Sequence, residues 1–485
     1  MFGHSRRQDA IVLACRHNAT ILLCALVALA LSACASLPPP GARPHLARPD
    51  AFSTDKSFAA PTAAWPSDQW WKAYKDPQLN TLIDEGLADA PDMRVAAARL
   101  AKARAVAQQS ASALAPSLSA NGQAGAQKQS YRYIFPEAFA PHGWKDYSQA
   151  TLNLNWDVDF WGKTRAAARA AHQDAAAQAA EAADTRLVLS TQIASSYADL
   201  AQLYAELDAA GDAVEVRRRT AELTRGRFEK GLENNGAVER AQSRLATARA
   251  DVASLNEQIA LNKAQIALLV GAGPDRALSI TRPAPVTDAS FGLPPNLPLD
   301  LVGRRPDIIA ARDRAEAAAS RTKAAKGAFY PDLNLSADIG FQALGIGNLF
   351  KSGADYGTVG PAVSLPIFDG GNLVGAYRGA EANYRIAVAQ YDSALNEALS
   401  EVSQAAISER ALATRLDETR QAEGFAEAAY RTANNRYKGG LATYLDVLTA
   451  EDSLITSRRA VADLETRAFA LNISLTRALG GGFQS

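Results

Sequence analysis

The sequence predicts a mainly helical protein that also carries four β-strands of membrane-barrel type per chain, too few to close a barrel alone. Three observations lead there. Two stretches, near 149–160 and 333–341, alternate apolar and polar residues with a period of two. Two long stretches free of proline show coiled-coil spacing, and landmarks of the first half recur in the same order in the second.

The 485 residues leave room for several domains. Lys plus Arg (51) equal Asp plus Glu (51), and no run of five like charges occurs, which argues against a nucleic-acid partner. The 48% apolar content is rich in alanine and poor in Met (2) and Trp (6). That composition suits long helices packed at short range.

Residues 1–33 read as a targeting segment. Arg6, Arg7 and Arg16 give a basic start, and the apolar stretch Ala19 to Leu31 is short for a membrane span. It ends in Leu31-Ser32-Ala33-Cys34, which resembles a lipoprotein signal. The resemblance implies that Cys34 becomes the mature N-terminus and carries covalent lipid. An ordinary secretory site with an incidental cysteine, or a twin-arginine signal at Ser5-Arg6-Arg7, is the alternative. Cys15 and Cys24 leave with the signal, so the mature chain keeps no free thiol, as suits an oxidising envelope. Ala35 follows where an inner-membrane retention signal usually has Asp, and by that resemblance the outer membrane is implied. Beyond Cys34 no apolar run reaches 18 residues, so a membrane crossing falls to β-strands.

Residues 34–65, rich in Pro, Ala and Ser, read as an N-terminal tether. Two repeats are then expected, 66–280 and 299–485, joined by a Pro-rich linker over 281–298. Ala90-Pro91-Asp92-Met93 matches Arg305-Pro306-Asp307-Ile308, and Ala115-Pro116-Ser117-Leu118 matches Tyr330-Pro331-Asp332-Leu333, both at an offset of 215. Arg227-Phe228 through Gly231-Leu232 matches Arg436-Tyr437 through Gly440-Leu441 at an offset of 209. Each repeat reads as helix, two strands, then two long helices.

The first clear strand is expected over Gln149 to Phe160, where Leu152, Leu154, Trp156, Val158 and Phe160 alternate with polar residues. Leu333, Leu335, Ala337, Ile339 and Phe341 repeat the pattern, and Leu118–Ala124 and Val359–Phe368 are weaker versions. About ten residues of apolar-out, polar-in alternation is what a tilted barrel strand needs. A half-buried soluble sheet has the same period but requires a partner core that the rest of the chain does not supply. Lys163 to Lys230 contains no proline and only Gly211 and Gly226, and as one helix would span roughly 100 Å. Ile193, Tyr197, Leu200, Tyr204 and Leu207 mark its seam. Gly236 to Val270 returns as the second arm of a hairpin, and 370–436 with 443–479 forms the second hairpin.

Four strands leave open edges, which lipid does not tolerate. Two chains would give eight strands with a filled interior; three would give twelve and an open lumen, which is preferred.

These features resemble the outer-membrane efflux protein family, the TolC-like ducts, and within it the lipoprotein branch of the OprM and NodT type. The resemblance covers nearly the whole mature chain. Its most specific motif is Arg304-Arg305-Pro306-Asp307-Ile308 with Ala310-Ala311, although Arg312 stands where glutamate is usual. Ala328-Phe329-Tyr330-Pro331, Leu365-Pro366-Ile367-Phe368-Asp369-Gly370-Gly371 and Trp156 through Gly162 support it. Tyr437-Lys438-Gly439-Gly440 through Tyr444-Leu445-Asp446-Val447-Leu448 resembles the second periplasmic hairpin. The resemblance implies a homotrimer with a twelve-strand barrel and a helical periplasmic tunnel. Its partners would be a periplasmic adaptor and an inner-membrane pump, of the resistance-nodulation-division type. It also implies acidic gating residues near the second hairpin tip. Asp446 matches the first such position, but Thr449 occupies the second and Ala442 replaces a nearby arginine. Glu451 and Asp452 are further candidates on other helix faces. Lys230 with Gly231, and Lys438 with Gly439 and Gly440, read first as glycine helix stops with cations in the last turn. They are also the candidate adaptor-facing tips.

Catalysis is not expected. His45, His142 and His172, the histidines beyond residue 33, lack partners at metal-ligand spacing, and neither a phosphate loop nor a nucleophile elbow is present. No cofactor is expected beyond the lipid on Cys34. The competing readings are a non-conducting lipid-anchored coiled-coil tether, which leaves the strands unexplained, and a duct for type I protein secretion. A copper or silver duct is disfavoured by the two methionines.

Overall fold

The computed structural model describes residues 38–484 except 40, 42–43, 50–51, 54–55, 59, 133–136, 140, 285–291 and 296. Cys34 and the targeting segment lie outside the described residues, as does part of the 281–298 linker.

The two halves repeat one order of elements. The first contains α1 (Pro77–Asp89), α2 (Pro91–Ser112), β1 (Ser117–Lys128), β2 (Trp144–Asp157), α3 (Lys163–Glu229) and α4 (Asn235–Leu269). The second contains α5 (Leu297–Arg304), α6 (Pro306–Gly327), β3 (Asp332–Leu344), β4 (Asp355–Ser364), α7 (Asn372–Lys438) and α8 (Tyr444–Ala478). The long arms have identical lengths, 67 residues for α3 and α7 and 35 for α4 and α8. Each half opens with two helices rather than the single one expected. The cause is Pro91 and Pro306: a proline holds the preceding residue out of helical geometry, and Ala90 sits at φ −60°, ψ 136°.

The chain forms two compact units. One contains residues 101–176 and 312–389 with the described residues up to 45, and the other contains 46–100, 177–311 and 390–485. The first unit holds the sheet. Its order is β1-β2-β3-β4, antiparallel throughout, with β1 and β4 at the edges. The strand expected over Gln149 to Phe160 instead runs Trp144–Asp157. Alternation outlasts the ladder because Phe160 N–H bonds Val158 O (2.7 Å) and Gly162 turns at φ +80°.

The second unit is cored by Trp71, Leu79, Ile83, Ile193, Tyr197, Leu200 and Ile266. The predicted seam of α3 is therefore buried at Ile193, Tyr197 and Leu200, and partly at Tyr204 and Leu207. Tyr197 Oη donates to Asp76 Oδ2 (2.7 Å), while Asp76 Oδ1 caps α1 by accepting from Gln78 N (2.8 Å). A second cluster joins Leu301, Ile308, Leu395, Val402 and Leu475, with Phe52, Phe58 and Trp65 packed against it. The stretch read as an extended tether thus docks in part on a core: Leu293 N–H bonds Pro61 O (2.9 Å), and the Arg304 guanidinium lies 4.6 Å from the Trp65 ring centroid.

The Arg305-Pro306-Asp307 motif gains a structural role here. Arg305 is buried, and its guanidinium donates to both Asp307 oxygens (3.0 and 2.6 Å), to Glu401 Oε2 (2.5 Å) and to Ala478 O (3.1 Å). One planar fork thus ties the start of α6 to α7 and the end of α8.

Candidate functional site

The sheet distributes its side chains in the reverse of a soluble protein. Register places Leu118 opposite Leu154, Ala120 opposite Leu152, Leu152 opposite Ile339 and Ala337 opposite Val359, so the apolar residues of all four strands share one face. That face is the open one: Leu152 is 51% exposed, Ile339 64% and Val359 74%. The polar face is the more enclosed, with Thr151 buried and Gln149, Asn153, Asp338 and Tyr356 half-buried. These polar side chains bond across the strands. Asn121 Nδ2 donates to Asn153 Oδ1 (2.8 Å), and Asn153 donates in turn to Asp338. Tyr356 lies opposite Gly340, where no side chain intervenes, and there it reaches Thr151 Oγ1 (2.7 Å) and Gln149. An apolar exterior with a hydrogen-bonded polar interior satisfies lipid on one side and water on the other. No helix among the described residues is long and apolar enough to cross a membrane.

The two hairpin tips repeat one geometry. At the first, Gly231 adopts φ +72° and Leu232 N–H bonds Arg227 O (2.9 Å); at the second, Gly440 adopts φ +75° and Leu441 N–H bonds Arg436 O (2.8 Å). Positive φ costs glycine least, so these stops recur at both tips. Lys230, Gly231, Lys438, Gly439 and Gly440 all sit in these turns and are exposed, as are Leu232 (60%) and Leu441 (73%) beside them. Arg227 links the tips: its Nη1 donates to Tyr437 O (2.7 Å), and its guanidinium lies 4.5 Å from the Tyr437 ring centroid. Tyr437 Oη donates back to Glu233 Oε2 (2.9 Å).

The three candidate acids occupy different environments. Asp446 is exposed and closes a capping box, its Oδ2 accepting from Thr443 N (2.7 Å) and Thr443 Oγ1 (2.8 Å). These bonds, the backbone one first, hold its carboxyl below the usual range. Glu451 is 1% exposed, accepts from Thr220 Oγ1 (2.7 Å) and lies 3.6 Å from Arg217 Nε. Burial outweighs these partners and pushes its carboxyl upward. Asp452 forms a forked contact with Arg244 Nη1 (2.5 and 2.6 Å) and lies 3.6 Å from Arg217 Nη2. Glu451 and Asp452 therefore join the second hairpin to the first, while Asp446 alone lies open on its own helix. Sequence reading missed Arg217, Arg244 and Thr220, because pairing between helices some 200 residues apart leaves no local spacing signal.

Among the described residues, no group of His, Cys, Asp and Glu could hold a metal ion. An inside-out sheet with two open edges, on a chain of paired long hairpins, defines a wall segment of an oligomeric membrane duct. The chain belongs to the outer membrane efflux protein family, which matches residues 82–272 and 297–481. It is similar to the outer membrane protein VceC of Vibrio cholerae, with 47% identity and a TM-score of 0.83 over 87% of this chain and 100% of that one. The fusaric acid resistance protein FusA of Burkholderia cepacia is 36% identical over 74% of this chain and 68% of its own length. The multidrug resistance outer membrane protein MdtQ of Escherichia coli O157:H7 is 31% identical over 88% and 91%. The protein is an outer-membrane efflux channel. Its fold is that of channels assembling as trimeric twelve-stranded barrels with helical tunnels.

Proposed function

We propose that three copies close the barrel edge to edge, β1 of one on β4 of the next, and that the duct passively releases small organic compounds delivered by an adaptor and a proton-driven pump of the resistance-nodulation-division type. The observation that carries this reading is the inside-out sheet with two unpaired edges: lipid demands closure, and twelve strands leave a polar lumen. FusA and MdtQ are named for resistance to fusaric acid and to multiple drugs, which supports amphiphilic small molecules as the cargo. The adaptor would engage the exposed tips at Lys230-Gly231-Leu232 and Lys438-Gly439-Gly440-Leu441. Asp446, the exposed acid of the three, would line the aperture, and Glu451 and Asp452 would act through the joint between hairpins that must part as it widens. Repeats bounded at 66–280 and 299–485 are the two wall units. Lipid on Cys34 would add a second membrane attachment.

Native mass spectrometry of the protein extracted from outer membranes tests this directly. Three copies are expected, each lighter by 33 residues and heavier by acyl chains. A monomer persisting across mild detergents would contradict the closed duct.

A further inference from the structure

The polar face of the sheet carries one charge over its middle. At the helix end Asp332 is paired with Lys163 Nζ (2.8 Å) and Asp157 closes β2; at the loop end lies Lys145. Between them, the polar-face positions of the four strands hold neutral residues apart from Asp338. Asn153 donates to its carboxylate and is itself held by Asn121. Both are neutral amides, and among the described residues no Lys or Arg pairs with Asp338. Its charge is therefore positioned but not neutralised. Asp146 and Asp355, the other acids of the strands, fall on the apolar-face positions at the loop end.

We propose that Asp338 is a selectivity-setting residue of the duct, giving the barrel lumen a preference for cations and cationic solutes over anions. The inference rests on the closed trimer with its polar face inward, which brings three Asp338 carboxylates to one level. Low-dielectric walls focus the field of such a ring into the lumen. Screening sets its reach: the Debye length is about 10 Å at 0.1 M salt, about 30 Å at 0.01 M and about 3 Å at 1 M. A wide lumen should thus be cation-selective in dilute salt and lose the preference in concentrated salt.

The experiment is the reversal potential of the purified trimer in planar bilayers under potassium chloride gradients. Near 0.01 M, Asp338→Asn is expected to lower the potassium-to-chloride permeability ratio by about twofold or more, with the difference vanishing near 1 M. Asparagine keeps the shape and an oxygen to accept from Asn153, so assembly should survive, and native mass spectrometry of the same sample checks it. Asp338→Lys should carry the ratio further, toward chloride. Conducting Asp338→Asn and Asp338→Lys channels with the wild-type reversal potential would overturn the role of Asp338 and leave the duct standing. A protein that stays monomeric in the native mass spectra would overturn the duct reading itself.

Discussion

The sheet and the hairpin tips solve opposite problems with the same repeated chain. In the sheet the apolar side chains are the exposed ones, and the polar ones bond to each other across β1 to β4. At the tips the order is ordinary: Tyr437, Tyr444, Val447 and Leu448 are buried, while the lysines of the turns lie in water. In the proposed duct the sheet is completed when its apolar face meets lipid and its edges meet other copies. The tips gain theirs within one copy, from Arg227 on Tyr437 and from Arg217 and Arg244 on Glu451 and Asp452. One region is completed by its surroundings and the other is complete already. In the proposed duct this division follows the task, since the barrel has to stay closed and the aperture has to open.

The largest expected effect separates the two faces of the sheet. Leu152→Lys or Ile339→Arg places a charge in lipid at about 2–4 kcal/mol per copy near the bilayer midplane and should abolish trimers in outer-membrane fractions. Thr358→Lys, on the polar face, should assemble normally, and equal loss in both would break the proposed orientation.

Next in size is the joint between hairpins. Arg217→Ala leaves the Glu451 carboxylate buried with less compensation, a loss on the order of 3 kcal/mol measured by thermal dissociation in detergent. Adding Glu451→Gln should restore much of it, because an amide carries no charge to strand. Failure of the second change to help would show that Arg217 acts through Asp452 or packing and not through Glu451.

Smaller still is the turn. Gly440→Ala forces a Cβ into the left-handed region at about 1–2 kcal/mol, and limited proteolysis should cut the second tip faster than the first. Equal rates would mean that the tips do not open independently.

The smallest effect is one of pH. Burial, reinforced by Asp307, raises the Asp184 carboxyl to about 6, above its value in an unfolded chain. The native state therefore holds this proton more tightly. The stability it brings is complete below about pH 4 and is lost as pH rises through about 6. The thermal midpoint should fall between pH 5 and pH 7.5 in the wild type and change less in Asp184→Asn; parallel curves would dismiss the contribution.

Much of this was legible in the sequence because it is periodic or punctuated. Period-two alternation exposed β2 and β3 through Leu152, Leu154, Ile339 and Phe341, and the glycine stops marked both tips. Strand ends were less legible: alternation runs on to Phe160 although β2 ends at Asp157 and its last bond to β3 is from Val158 N–H to Leu333 O (2.8 Å), since pattern records which face a side chain takes and not whether its backbone is paired. The breaks at Pro91 and Pro306 were readable in principle from proline chemistry. The partners of Glu451 and Asp452 were not, because side chains meeting from separate hairpins share no local signature. Arg305 showed the same limit: its motif was conspicuous, and its role emerged only with Glu401 and Ala478 beside it.

Closure by three copies through the sheet edges is tested most directly by inter-strand disulfides. Ser119→Cys on β1 would be combined in turn with Thr358→Cys, Gly360→Cys or Ala362→Cys on β4. Within one copy β1 and β4 are separated by β2 and β3, about 14 Å at roughly 4.8 Å per strand, beyond the roughly 7 Å limit for a disulfide. Any bond must therefore join two copies. Oxidation in outer membranes is expected to give, in at least one pairing, covalent dimers and trimers and nothing larger. No cross-link in any pairing, or a ladder that stops at two or runs past three, would contradict the account.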